Sequence, residues 1–233
     1  MTVSVMPAVR EQLIHVPVGT AILAGTLRLP EGSRGVILFA HGSGSGRHSP
    51  RNRRVAQLLN EARLATLLID LLTSDEEAVD ARTAHLRFDI DLLAERLVVA
   101  TDWLTQYPDT QAFRLAASAP APVPRPRWWR RPSAPTWVRA LVSRGGRPDL
   151  GGPALMRVRA PTLLIVGGND VQVIELNRAA LARLRCEKQL VIVPGATHLF
   201  EEPGALDEVA RLARDWFHRC LIPVGRQATS AGR

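Results

Sequence analysis

Residues 161–198, PTLLIVGGNDVQVIELNRAALARLRCEKQLVIVPGATH, decide the fold. The run ending in Asp170 is apolar and glycine-closed, as a strand buried on both faces would be. VIELNRAALARLR carries its apolar residues at helical spacing, and KQLVIVPGATH is a second apolar run. Strand, helix and strand at this length form a parallel unit, because parallel neighbours need a crossover.

The same alternation extends outward in both directions. GVILFAHG (35–42) predicts a buried strand, followed by turn residues and a helix after Pro50 with Val55, Leu58, Leu59 and Ala62 on one face. ATLLIDLL (65–72) predicts the next strand, and TSDEEAVDARTAH (73–85) reads as a polar loop. A long helix follows, with Ile90, Leu93, Leu97, Ala100 and Leu104 at spacings of three and four, stopping before Pro108. At the start, EQLIHVPV and AILAGTLRLP, separated by Gly19, predict an antiparallel edge pair. At the other end, VRALVSRGG resumes the pattern after residue 137, and GALDEVARLARDWFHR predicts a closing helix striped by Leu206, Val209, Ala213 and Trp216. The expectation is an α/β fold with a mostly parallel central sheet, helices on both faces and a local disruption at 116–137.

With 233 residues, 46% of them apolar and 22% charged, the chain is expected to form a single domain over residues 1–222, with a disordered tail over 223–233. The sequence has neither the apolar run of a membrane span nor the start of a secretory signal, so a cytoplasmic protein without membrane association is expected. The formal charge of +8 owes most of its excess to Arg114, Arg125, Arg127, Arg130 and Arg131, within a stretch devoid of acids. Because the body of the chain is only mildly basic, no nucleic-acid partner is expected. Cys186 and Cys220 have no metal-ligand spacing and read as ordinary thiols.

In open sheets of this kind, ligands lie beyond the carboxyl ends of the strands. Three strand ends are polar: His41-Gly42 opening a glycine-rich loop, Asp170, and His198. An acid followed by a histidine matches the later part of the chain order Ser, Asp, His. HGSGSGRHSPRN, SRGGRPDL, PTLLIVGGNDVQVIELNR and PGATHLFEEPGALDEV closely resemble the dienelactone-hydrolase-like branch of the α/β-hydrolase superfamily, over roughly residues 12–112 and 138–220. That resemblance implies an α/β-hydrolase fold and hydrolysis of a small ester, lactone or thioester, with no metal or organic cofactor. It makes His198 the general base and Asp170 the acceptor of the histidine's second ring proton. It also makes the loop of His41, Gly42, Ser43 and Gly44 the source of oxyanion N–H donors, with His41 shaping the loop. Arg47, His48 and Arg53 either line the cleft or solvate a helix start.

The resemblance lapses where the nucleophile belongs. Residues 116–137 read AASAPAPVPRPRWWRRPSAPTW, with six of the seventeen prolines and three of the five tryptophans. Ser118 is the serine in register, but alanine and proline stand where a Gly-x-Ser-x-Gly elbow needs glycines. Pro120 removes a backbone donor, and Pro122, Pro124 and Pro126 exclude the following helix. Joining the last base of each codon to the first two of the next permits G-x-S-T-G-A-G-A-A-A-A-V-V-A-A-A-E-R-P-D across Ala116–Thr136, which restores the elbow and a helix. A pair of compensating frameshifts is therefore expected to separate this chain from its family, with impaired turnover as the result. The alternative is a non-catalytic protein whose basic Trp/Pro segment (119–137) binds an anionic surface or a partner.

Overall fold

The structure, a computed structural model, describes residues 7–40, 46–118 and 138–222. The chain begins with the antiparallel pair β1 (Val9–Val18) and β2 (Ala21–Pro30), turned at Gly19 with φ +58°. Then come β3 (Gly35–Ala40), α1 (Pro50–Glu61), β4 (Ala65–Ile69), α2 (Ser74–Thr83), α3 (Ile90–Gln106) and β5 (Arg114–Ser118). The second half adds β6 (Val138–Arg144), β7 (Thr162–Gly167), α4 (Val171–Arg183), β8 (Lys188–Val193) and α5 (Ala205–Leu221), with a kinked 3₁₀ stretch at Pro148–Arg157 between β6 and β7. The eight strands form one sheet in the order β1-β2-β4-β3-β5-β6-β7-β8. From β4 to β8 every pairing is parallel, and β1 and β2 close one edge antiparallel. This is the expected α/β-hydrolase architecture.

Strand alternation sorts the core into two layers. Ile37 and Phe39 of β3, Ala140 and Val142 of β6, and Leu163 and Ile165 of β7 face α1 and α5, where Val55, Leu59, Val209, Trp216 and Phe217 meet them. Val36, Leu38 and Ala40 of β3 and Leu67 and Ile69 of β4 face the other way, against Leu97, Ala100 and Leu104 of α3. Further along that face, Val166 packs with Val173 and Ile174 of α4. Burial on both faces explains why the parallel strands read as continuous apolar runs.

One expectation is corrected. Residues 74–83 are a helix, not a loop, because Thr73 and Glu76 form a reciprocal capping box. Asp80 is the only buried residue of α2, so no apolar stripe announced it. A second adjustment concerns residues 116–137, whose first three complete β5. Leu115, Ala116 and Ala117 are buried there, with a register shift against β6 between Leu115 and Ala117. The proposed insert (119–137), the tail (223–233) and the loop His41, Gly42, Ser43 and Gly44 lie outside the described residues.

Candidate active site

The parallel strands deliver their carboxyl ends to one edge of the sheet, where Ser118, Asp170 and His198 follow or end strands. Asp170 follows β7 at the N-cap of α4 and His198 follows β8. The segments carrying them are laced together by backbone. Gly168 N–H donates to the Val193 carbonyl at 2.8 Å, Asn169 N–H donates to the Ala196 carbonyl at 2.9 Å, and the Asn169 amide donates to the Gly195 carbonyl at 2.9 Å. Such close approach needs a bare backbone. A Cβ at Gly167 would stand 2.4 Å from the carbonyl oxygens of both Ala196 and Thr197. The lacing brings residues 28 positions apart into contact, with His198 Nδ1 lying 2.6 Å from Asp170 Oδ2.

The environments of the two groups differ. The Asp170 side chain is 16% exposed and that of His198 is 52% exposed, so a sheltered carboxylate holds an imidazole that remains accessible. With Nδ1–H donating to Asp170, Nε2 keeps its lone pair and can accept a proton from a hydroxyl. Asp170 makes no side-chain capping bond to α4, so its carboxylate is directed to the histidine rather than to the helix it begins.

The remaining candidates are distributed unevenly. Ser118 ends β5, half-buried and in register with Phe39 of β3 and Val142 of β6. Among the described residues its hydroxyl makes no hydrogen bond to His198. Arg47 N–H donates to Asp70 Oδ1 at 2.7 Å and its guanidinium pairs with Oδ2, fastening the chain after the glycine loop to the end of β4. His48 Nδ1 pairs with the exposed Arg53 guanidinium at 2.8 Å.

Several contributors were not anticipated. Asp70 closes ATLLID as Asp170 closes LLIVGGND, so the same strand-end signal would have found it. Glu202 accepts from the Thr197 N–H at 3.0 Å, steadying the turn before His198, and the Thr197 hydrogen bonds hold its carboxyl below the usual range. Arg144 ends β6 and donates from Nη2 to Asn52 Oδ1 at 2.6 Å, while its enclosed Nη1 has no hydrogen-bond partner among the described residues. Burial, with Arg51 nearby, pulls the Arg144 guanidinium down to about 10. Sequence periodicity gives no cue to a cation in that place. Cys186 and Cys220 are free and half-buried, and burial raises the Cys220 thiol. Among the described residues there is no group of three or more His, Cys, Asp or Glu that could hold a metal ion, and no helix is long and apolar enough to cross a membrane.

No protein-family profile matches the chain. A dienelactone hydrolase from Anabaena variabilis, solved by crystallography, is 55% identical, with 93% of this chain and 99% of that one covered at a TM-score of 0.85. A dienelactone hydrolase-like promiscuous phosphotriesterase from metagenomic libraries shares the fold at 16% identity, with 92% and 99% covered and a TM-score of 0.72. A Mycobacterium tuberculosis protein provisionally named a phosphoribosyl transferase is 50% identical over 226 residues, 92% of this chain and 48% of its own length. The chain thus spans about half the length of the curated relatives it matches first.

Proposed function

Because the chain belongs to the dienelactone hydrolase family, we propose that its frame is that of a serine-type hydrolase of a small ester, lactone or thioester, impaired in this copy at the nucleophile. The observation that carries the reading is the 2.6 Å contact between His198 Nδ1 and Asp170 Oδ2 at the carboxyl edge of the sheet. His198 is the general base. Its Nε2 takes the proton of an attacking hydroxyl and returns it to the leaving group. Asp170 fixes the tautomer and stabilises the imidazolium that forms. The loop of His41, Gly42, Ser43 and Gly44 is assigned the oxyanion donors, each worth roughly 3 kcal/mol in such sites. Substrates are small molecules. No nucleic acid, membrane, metal or organic cofactor enters the scheme, and residues 1–222 act as one domain in the cytoplasm.

The impairment follows from residues 116–137. Ser118 occupies the nucleophile position but lacks the flanking glycines that let an elbow serine sit on a strained turn. Compensating frameshifts account for a foreign segment that begins and ends abruptly inside an otherwise continuous family pattern. The gene's nucleotide sequence tests this directly: a reading shifted by one base must encode the elbow, and one that does not removes the explanation. Labelling with a fluorophosphonate, followed by peptide mass spectrometry, tests the serine. Ser118 is expected to label at least 100-fold more slowly than the serine of an elbow-restored chain. Equal labelling would contradict the proposed impairment.

The transferase name borne by the mycobacterial relative is assigned to the part of that protein outside the match. The present chain covers 99% of the Anabaena hydrolase and 48% of the mycobacterial protein, which leaves the rest of that protein to carry the transferase name.

A further inference from the structure

We infer that Gly145 and Phe200 are positioning residues for His198, setting the imidazole where Nδ1 meets Asp170. The inference rests on the reading of His198 as the base. Gly145 follows β6 with φ +54°, and its N–H is fixed to the Ile165 carbonyl at 2.8 Å, so it cannot drift from the sheet. A Cβ at this position would stand 2.9 Å from the His198 carbonyl oxygen, 3.3 Å from the Phe200 ring and 3.8 Å from His198 Cε1. The imidazole and its backbone therefore rest on a floor that only glycine leaves open.

Phe200 supplies the anchor. It holds φ at +56°, a conformation rare for a bulky L-residue. The other two non-glycine residues with positive φ among those described, Arg63 and Ala84, lie just beyond the C-termini of α1 and α2, where left-handed backbone is common. Phe200 has no helix end to explain it. Its side chain is 3% exposed, in the core cluster with Val193, Ala196 and Ala205, and its N–H closes a turn onto the Thr197 carbonyl at 3.2 Å. Leu199, beside it, is 40% exposed. Burial of the phenyl ring thus holds a strained turn that faces His198 outward, and strain held by its surroundings is characteristic of functional positions.

The test is proton NMR of the full chain with 15N-labelled histidine, following the downfield Nδ1–H of His198, identified by its loss in His198→Gln. Gly145→Ala and Phe200→Leu are expected to abolish this resonance or speed its exchange with water at least tenfold, with the fold retained by far-UV circular dichroism. Gly152→Ala is the control, since Gly152 has a similar φ of +48° and open space around its Cβ position, so it adds strain without contact. It should leave the resonance intact. In an elbow-restored chain, the same two variants should lower kcat at least tenfold while KM stays within twofold. An unchanged resonance in folded Gly145→Ala and Phe200→Leu, or equal loss in Gly152→Ala, would overturn the inference. Absence of the resonance from the parent would instead sink the Asp170–His198 reading on which it rests. Should Gly145→Ala not fold, Gly145→Asn brings the same Cβ with better tolerance of positive φ, and Phe200→Leu decides independently.

Discussion

Asp170 stands at the N-cap of α4, where an aspartate ordinarily turns its carboxylate onto the helix's own N–H groups. Here the carboxylate goes to His198 instead. A capping aspartate costs about 1 kcal/mol of stability when truncated. An aspartate committed to a partly exposed histidine has little such structural worth, so Asp170→Ala is expected to change the unfolding free energy by less than about 1 kcal/mol in urea titrations. In an elbow-restored chain, Asp170→Asn is expected to lower kcat by about 10³–10⁴-fold, because the wrong tautomer is then favoured. A large stability loss with unchanged kcat would return Asp170 to an ordinary capping role. At this scale the candidates were legible in the sequence because a strand end is a place, and Asp170 and His198 stood at two of them. Gly145, Phe200 and Glu202 were not, since their roles depend on which carbonyl or ring comes to lie against them.

Among the elements, α2 teaches most about legibility. The buried strands were readable because burial on both faces leaves an uninterrupted apolar run. TSDEEAVDARTAH has no such signature, and its helix is held from its end. Thr73 accepts from the Glu76 N–H at 3.3 Å, and Glu76 accepts from the Thr73 N–H at 2.8 Å. Glu76 also takes two bonds of 2.6 Å from the buried Arg96 of α3, whose Nη1 donates in addition to the Leu71 carbonyl. The Thr-x-x-Glu spacing was thus the one available signal. The Arg96 guanidinium lowers the Glu76 carboxyl to about 2. Because the folded value lies below the unfolded value of roughly 4.3, the stabilisation is complete above that pH and disappears as pH falls toward 2. After allowance for partial exposure, Glu76→Gln is expected to cost about 2 kcal/mol at pH 7. The difference from the parent should shrink steadily below pH 4 and vanish near pH 2 in denaturant titrations. A pH-independent difference would assign the effect to the cap alone.

At the scale of the whole molecule, the sheet order places β5 between β3 and β6, at its centre. Phe217 of α5 is fully buried in the layer that covers this centre, alongside Ala116 of β5 and Ala140 of β6. Phe217→Ala is expected to destabilise the protein by about 3–5 kcal/mol, read from thermal or urea unfolding. The frame's architecture was legible from both flanks of residues 116–137, since the alternation of apolar strands and helices resumes at Val138. On the proposed reading, residues 116–137 break the agreement among local preferences, turn chemistry and fold that a family sequence maintains. Exchanging residues 116–136 for the elbow-bearing reading is therefore expected to raise Tm by at least about 5 °C. Steady-state hydrolysis of a p-nitrophenyl ester by this chain beside its elbow-restored counterpart decides whether residues 116–137 have cost the chain its nucleophile. The restored chain should turn over, losing activity on His198→Ala, while the present chain runs at least about 10³-fold slower, the scale of a lost nucleophile. Equal turnover by the two chains, or a restored chain indifferent to His198→Ala, would contradict the account.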